Sequence, residues 1–108
     1  MTNQTLSKIA ELNDKLRKSR QGFTMTRAVK SLPLLTLCQL INLVANFNDF
    51  DEDNDPWGEH DFGMVSINGE SYYWKIDYYD KSMEGGSPNP EDESVTNRVL
   101  TLMHSSEY

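Results

Sequence analysis

The sequence predicts an α+β fold in which helices pack on one face of a three-stranded, mainly antiparallel sheet. Two segments carry apolar residues at three- and four-residue steps, which is typical of amphipathic helices. Between two alternating runs lies Asn68-Gly69, the strongest short signal for a β-hairpin. The predicted order is helix, strand, helix, hairpin and helix. At 108 residues, the chain fits one domain spanning residues 1–108.

The first helix is predicted over TLSKIAELNDKLRKSRQG, from a cap at Thr5 or Ser7 to Gly22. Lys and Arg in its last turn are stabilised by the negative end of the helix dipole, as is typical of a helix C-terminus. Its apolar face is formed by Ile9, Leu12 and Leu16. The next segment, FTMTRAV, alternates in hydropathy and predicts a strand whose apolar side carries Phe23, Met25 and Val29.

The most apolar segment, SLPLLTLCQLINLVANF, predicts a core helix with Ser31 as N-cap and Pro33 in the first turn. Cys38 is the only cysteine, so this chain alone can form neither a disulfide framework nor a thiolate metal site. We expect Cys38 to be buried as a small apolar side chain. The predicted inward-facing residues are Leu34, Leu37, Leu40, Ile41, Val44 and Phe47.

The hairpin is predicted over DFGMVSINGESYYWKIDYYD. A two-residue turn at Asn68-Gly69 pairs positions whose numbers sum to 137, and this register places His60 opposite Asp77. The predicted core face carries Val65, Ile67, Tyr72, Trp74, Ile76 and Tyr78. The opposite face carries His60, Phe62, Met64, Tyr73, Lys75, Asp77 and Tyr79.

A last helix is predicted over NPEDESVTNRVLTLMHSSEY, with Asn89 as N-cap and Pro90 in the first helical position. Three acidic residues follow at the positive end of its dipole. Its inner stripe is expected to consist of Val95, Val99, Leu102 and Met103.

Charge is distributed unevenly along the chain, whose net charge is -7. No Lys or Arg occurs between Ser31 and Trp74, so the acidic segment within that range favours basic surfaces and repels phosphates. Direct binding to nucleic acid is therefore not expected. No apolar run approaches the length of a membrane span, and we expect a cytoplasmic protein. The clustered acids are Asp49, Asp51, Glu52, Asp53, Asp55, Glu59 and Asp61.

Two arrangements of residues suggest chemistry. His60 beside Asp77 would suit a general base, because a carboxylate orients an imidazole and raises its pKa. Glu59, His60 and Asp61 are metal-ligating residue types, although neighbours in a strand point to opposite faces. A structural cross-strand pair is the simpler interpretation of His60 and Asp77. Motifs for nucleophilic hydrolases and for phosphate-binding glycine loops are absent, and no cofactor is expected.

Several blocks, NDPWGEHDFG, WKIDYYD, SPNPEDESVTNRVLTLM and the earlier IAELNDKLR, resemble a small bacterial family defined only as a domain of unknown function. Its members are common on plasmids and integrative elements. The resemblance implies an accessory protein of mobile DNA and provides no catalytic residues.

We therefore expect a non-enzymatic interaction protein that binds a basic protein surface. The mobile-element context suggests a nucleic-acid-binding host protein, inhibited by mimicry as in anti-restriction or anti-CRISPR proteins. The alternative is a small metal-assisted hydrolase or nuclease using His60 and Asp77, with Glu59 or Asp61 as ligands. The oligomeric state is left open. The expected contact residues are Asp49, Asp51, Glu52, Asp53, Asp55, Trp57, Glu59, Tyr73 and Tyr79. A weaker alternative is docking through the basic residues of the first helix, Lys8, Lys15, Arg17, Lys18 and Arg20.

Overall fold

Three α-helices and a four-stranded sheet form residues 7–108, the part of the chain that the computed structural model describes. The α+β class is confirmed, but the sheet has one strand more than predicted. The strand order is β1-β4-β3-β2, with β1 parallel to β4 and the other pairs antiparallel. The elements are α1 (Lys8–Ser19), β1 (Thr24–Met25), α2 (Arg27–Lys30), α3 (Leu34–Ala45), β2 (Phe62–Ile67), β3 (Glu70–Tyr79) and β4 (Asn97–His104).

Helix α1 begins where the sequence predicted. Ser7 is its N-cap, and the Ser7 hydroxyl accepts the backbone N–H of Ala10 at 3.0 Å, satisfying a donor that the first turn leaves free. The other predicted cap, Thr5, lies outside the described residues. The helix ends at Ser19, and its C-cap is Arg20, whose φ of 59° is left-handed, two residues before Gly22.

The predicted strand over residues 23–29 is shorter than expected. Pairing ends at Met25, and a single helical turn, α2, follows. Glu107 explains the change because one carboxylate oxygen accepts the Thr26 hydroxyl at 2.5 Å and the other accepts the Ala28 N–H at 3.1 Å. A carboxylate at the start of a helix satisfies its free donors, and this distant contact is not visible in the local alternation.

Helix α3 is the predicted core helix, with three corrections. It begins after Pro33, whereas Ser31 ends α2. Its first turn is open to solvent, and Leu34 is 76% exposed rather than facing inward. Cys38 is also exposed, because two residues before the buried Leu40 is about 200° around a helix. The remaining predicted inward residues are buried or packed against the core: Leu37, Leu40, Ile41, Val44 and Phe47.

The hairpin register is confirmed, with Ile67 opposite Glu70 and Gly63 opposite Trp74. Asn68 and Gly69 have φ angles of 53° and 79°, as a two-residue turn with left-handed central residues requires. The predicted core face packs beneath α3. The buried core consists of Val29, Leu40, Val44, Val65, Tyr72, Trp74, Ile76, Leu100 and Leu102.

The predicted last helix is wrong, because its C-terminal part forms strand β4. Leu102 lies opposite Trp74 in the β3–β4 ladder and Leu100 lies opposite Ile76, so alternate residues enter the core. Met103 points to the other face, opposite Tyr73. The expected stripe of Val95, Val99, Leu102 and Met103 therefore does not share one face. Asp92 caps a short 3-10 turn, Glu93–Val95, in place of a longer helix.

No helix within residues 7–108 combines the length and the apolar composition needed to cross a membrane.

Candidate functional site

The acidic segment forms an ordered loop between α3 and β2, which we call the acidic loop (residues 49–61). One Asp51 carboxylate oxygen accepts the N–H groups of Asp53 and Asn54, at 2.8 and 3.0 Å. In return, the Asn54 side chain accepts the Asp51 N–H at 3.0 Å and donates to the Asp49 carbonyl at 2.7 Å. These reciprocal bonds fix the first turn of the loop.

A second turn is organised by Asp55, the buried carboxylate of the acidic loop. Its Oδ1 accepts the N–H of Glu59 at 3.0 Å and the N–H of His60 at 3.2 Å. Gly58 reverses the chain with a φ of 66°. Asp51 and Asp55 therefore hold the loop together by accepting backbone N–H groups, and of the two only Asp55 is buried.

The acidic loop exposes one indole and four carboxylates, of which the Asp51 carboxylate is bonded to the loop backbone. Asp49, Glu52 and Asp53 are exposed, and their side chains form no hydrogen bond or ion pair with other described residues. Trp57 is 85% exposed. The loop thus presents uncompensated negative charge beside a large aromatic ring.

His60 does not meet Asp77, so the predicted pair is corrected. Its φ of 55° turns the chain before β2 begins and directs the ring towards the helices. The His60 Nδ1 lies 2.9 Å from Asp14 Oδ1, and its Nε2 lies 3.8 Å from Asp55 Oδ2. The ring stacks on Phe50 with centroids 3.9 Å apart. Asp77 instead forms an ion pair with Lys75 at 3.1 Å.

The three residues considered as metal ligands also diverge. Glu59 accepts the Tyr78 hydroxyl at 2.9 Å, whereas His60 faces Asp14. Burial raises the pKa of Asp61, and repulsion from Glu59 raises it further. Across residues 7–108, no group of three or more His, Cys, Asp or Glu side chains is arranged to bind a metal ion.

Two polar residues of α1 are buried, Asn13 and Arg17. The sequence analysis did not single out Asn13, and it considered Arg17 only as a docking residue at the surface. Arg17 Nη1 lies 2.8 to 3.0 Å from the carbonyls of Val44, Ala45 and Phe47, at the end of α3, and its Nη2 binds Asp14 at 2.8 Å. The negative end of the α3 dipole stabilises a cation at this position. The sequence did indicate that these two residues are buried, because Ile9, Asn13 and Arg17 follow one another at four-residue steps along the apolar face of the helix.

Asn13 connects α1 to the acidic loop and the sheet. Its Nδ2 donates to the Glu59 carbonyl at 3.0 Å and to the Tyr78 hydroxyl at 2.8 Å. Its Oδ1 accepts Arg98 Nε at 2.6 Å. Burial raises the pKa of Tyr78, which keeps the hydroxyl protonated as a donor to Glu59. The loop is thus attached to the side of the molecule that carries the helices.

Tyr73 and Tyr79 lie on the other face of the sheet, because their parity is opposite to that of the buried Trp74. Tyr73 packs at 5.3 Å from Phe62 and 5.0 Å from Tyr108, measured between ring centroids. The structure therefore separates the two tyrosines from the acidic loop and Trp57, which we had expected to share one surface.

The basic residues of α1 do not form a common docking surface either. Arg17 is only 2% exposed, and both of its Nη atoms form hydrogen bonds within the protein. Arg20 donates to the Asn42 side chain at 2.8 Å. The exposed lysines of the helix are Lys8, Lys15 and Lys18.

Comparison with known proteins identifies one family. A family model described as "Protein of unknown function (DUF3768)" matches residues 25–107, which include the last residue of β1, the acidic loop and β2 to β4. No curated protein and no solved structure matches the chain.

Proposed function

The chain belongs to the DUF3768 family of proteins of unknown function, and from its own residues we propose that it is a non-enzymatic protein that binds a basic protein surface through the acidic loop. The observation that carries this proposal is Trp57, 85% exposed on a loop that is held by internal hydrogen bonds. A preorganised loop loses little conformational entropy on binding. Exposed Trp is a frequent anchor residue at protein interfaces.

The local chemistry favours a cationic side chain of the partner. A shallow cavity of about 430 Å³ lies beside Trp57, with Phe50 as a second aromatic ring. Asp51, Glu52 and Asp55 also line it. An aromatic face attracts a guanidinium or ammonium group, and carboxylates form charge-assisted hydrogen bonds with it. An arginine of the partner would satisfy both kinds of contact.

The charge of the whole segment supports long-range attraction as well. Asp49, Glu52 and Asp53 lie at the surface without an ion pair to any residue from Ser7 onward, in a stretch that carries no Lys or Arg from Ser31 to Trp74. Such a field accelerates encounter with a basic partner and repels nucleic acid. We propose as partner a protein with a nucleic-acid-binding groove, such as a host defence or DNA-processing protein, in which the carboxylates take the place of phosphates. This choice also rests on the mobile-element context of the family resemblance.

The hydrolase alternative receives no support from the geometry. Both ring nitrogens of His60 face carboxylates, Asp14 and Asp55, and one ring face is covered by Phe50. These contacts suit a residue that closes the acidic loop against α1.

The proposal is tested with a triple variant, Asp49→Lys, Glu52→Lys and Asp53→Lys. The matched control is Glu84→Lys, Glu91→Lys and Glu93→Lys, which makes the same change in net charge at exposed sites elsewhere. Each protein is immobilised and exposed to a bacterial lysate, and bound proteins are quantified by mass spectrometry at low and high salt. We expect a basic, nucleic-acid-binding protein to be retained by the wild type and the control, and to be lost from the loop variant.

Trp57→Ala provides a second measurement, because an exposed indole contributes little to folding. We expect a wild-type melting temperature and at least ten-fold weaker binding to the captured protein. A DNA duplex should compete for that protein. Retention of the same basic proteins by the loop variant, or equal loss from the control, would refute the acidic loop as the binding surface.

A further inference from the structure

One edge of the molecule carries no charge, although 25% of the chain is Asp, Glu, Lys or Arg. Strand β2 lies at the edge of the sheet, and α3 packs beside it. Residues 31–48, which include α3, and residues 62–69, which include β2 and the turn, contain none of these four residue types. We call α3 and β2 together the uncharged edge.

The backbone of β2 is free to pair on its outer side. Ile76 donates its N–H to the Asp61 carbonyl at 2.8 Å, so the odd-numbered residues of this strand bond to β3. The N–H and C=O groups of Phe62, Met64 and Ser66 therefore point away from the sheet. No hydrogen bond among residues 7–108 uses them. Edge strands are commonly protected by charge, Pro or a bulge, and β2 contains no charge and no Pro.

Exposed apolar side chains accompany this free backbone. Met64 on β2 is 49% exposed, and Leu35 and Leu43 on α3 are 72% and 41% exposed. Between α3 and the hairpin turn lies an open groove of about 480 Å³. It is lined by Gln39, Asn42, Leu43, Asn46, Ile67 and Asn68.

We propose that the uncharged edge is the interface between two copies of this chain, joined by antiparallel pairing of their β2 strands. A two-fold axis at Met64 pairs positions whose numbers sum to 128, which places Met64 opposite its own copy and Phe62 opposite Ser66. This register bonds all the outward-facing groups, forming about six N–H···O bonds. It joins the two four-stranded sheets into one and places Asp61 opposite the uncharged Ile67.

The distribution of charge favours a second copy of this chain as the partner at the uncharged edge. Two molecules that each carry a net charge of -7 repel one another over most of their surfaces, and this edge lets them approach without placing like charges in contact. A basic partner would find no carboxylate within the edge to bind. Salt screens the remaining repulsion, so self-association should strengthen with salt. A complex formed through the acidic loop should weaken under the same conditions.

Sedimentation velocity on the whole chain tests the proposal at low and high salt over a range of concentrations. We expect a monomer–dimer equilibrium whose dissociation constant falls with salt. Met64→Lys should raise that constant at least ten-fold, because the register places the two ammonium groups opposite each other. The matched control, Met83→Lys, changes a 51% exposed methionine in a distant loop and should dimerise like the wild type.

The register is tested separately with Met64→Cys in a Cys38→Ser background, which removes the exposed native thiol. The Cα atoms of a hydrogen-bonded antiparallel pair lie about 5.5 Å apart, within reach of a short bismaleimide that links two thiols. We expect this reagent to give a covalent dimer with unchanged circular dichroism. A wild type that stays monomeric at all concentrations, a dimer unaffected by Met64→Lys, or no cross-link with the bismaleimide would overturn the proposal.

Discussion

Replacing Arg17 with methionine should destabilise the protein strongly while leaving most of its packing intact. Methionine retains a long apolar side chain that can lie against Trp74, whose ring is 5.3 Å from the Arg17 guanidinium. It removes the donor shared by the carbonyls of Val44, Ala45 and Phe47, and it removes one of the two partners of Asp14, leaving His60 as the other. The substitution therefore isolates the polar contribution of this side chain.

The expected loss follows from the burial of these contacts. Hydrogen bonds to charged groups contribute about 1.5–3 kcal/mol each, but Nη1 shares its two hydrogens among three carbonyls, so the contributions do not add. Removing one partner of a buried charged group typically costs about 3–5 kcal/mol. Arg17 is 2% exposed, and we expect a loss of about 3 kcal/mol. This is a large share of the typical stability of a small domain, about 5–15 kcal/mol.

Urea unfolding followed by circular dichroism measures the effect. Lys18→Met is the control, because it makes the same loss of charge at the next, exposed position of α1, where surface substitutions usually change stability by less than about 0.5 kcal/mol. A loss below about 1 kcal/mol for Arg17→Met, or equal losses for the two variants, would show that Arg17 does not hold α1 to the end of α3.

Two further predictions concern single residues. In Gly63→Ala, the added Cβ would lie 2.5 Å from Trp74 Nε1. Because this ring is fully buried, we expect the free energy of unfolding, measured with urea, to fall by about 1–3 kcal/mol. The control Gly85→Ala, where the nearest atom is 3.7 Å away, should be nearly neutral. Asp61→Asn should raise the free energy of unfolding at pH 7, because a carboxyl whose pKa is raised on folding destabilises the folded state as it ionises. The gain should disappear as the pH falls below the ordinary pKa of 3.8, and a gain that persists in acid would contradict the electrostatic explanation.

The hairpin was predictable because its determinants are local. Asn68-Gly69 sets the turn, the turn sets the register, and the register assigns Trp74 and Tyr72 to the core. Strand β4 was not predictable in the same way, since apolar residues at positions 95, 99, 102 and 103 also fit a helix. The structure is decided by pairing with β3 and β1, both distant in the sequence.

The acidic loop was predictable in composition but not in the roles of its carboxylates. Nothing in the spacing distinguishes Asp51, whose carboxylate accepts two backbone N–H groups and fixes a turn, from Asp53, whose carboxylate bonds to no other residue of the described range 7–108. Likewise, the predicted hairpin register included His60 as a residue paired with β3. In the structure, the left-handed backbone of His60 directs its side chain to Asp14 instead. Contacts made across the fold decided both cases.

The position of β4 between β1 and β3 has a consequence for synthesis on the ribosome. β1 pairs with β4 through Thr24–Thr101 and Met25–Leu102, so these early residues must wait until nearly eighty more have been translated. Pairing across such separations slows folding. Until residues 97–104 emerge, the nascent hairpin leaves the backbone of β3 unpaired on one side, and chaperones can bind the chain during this interval.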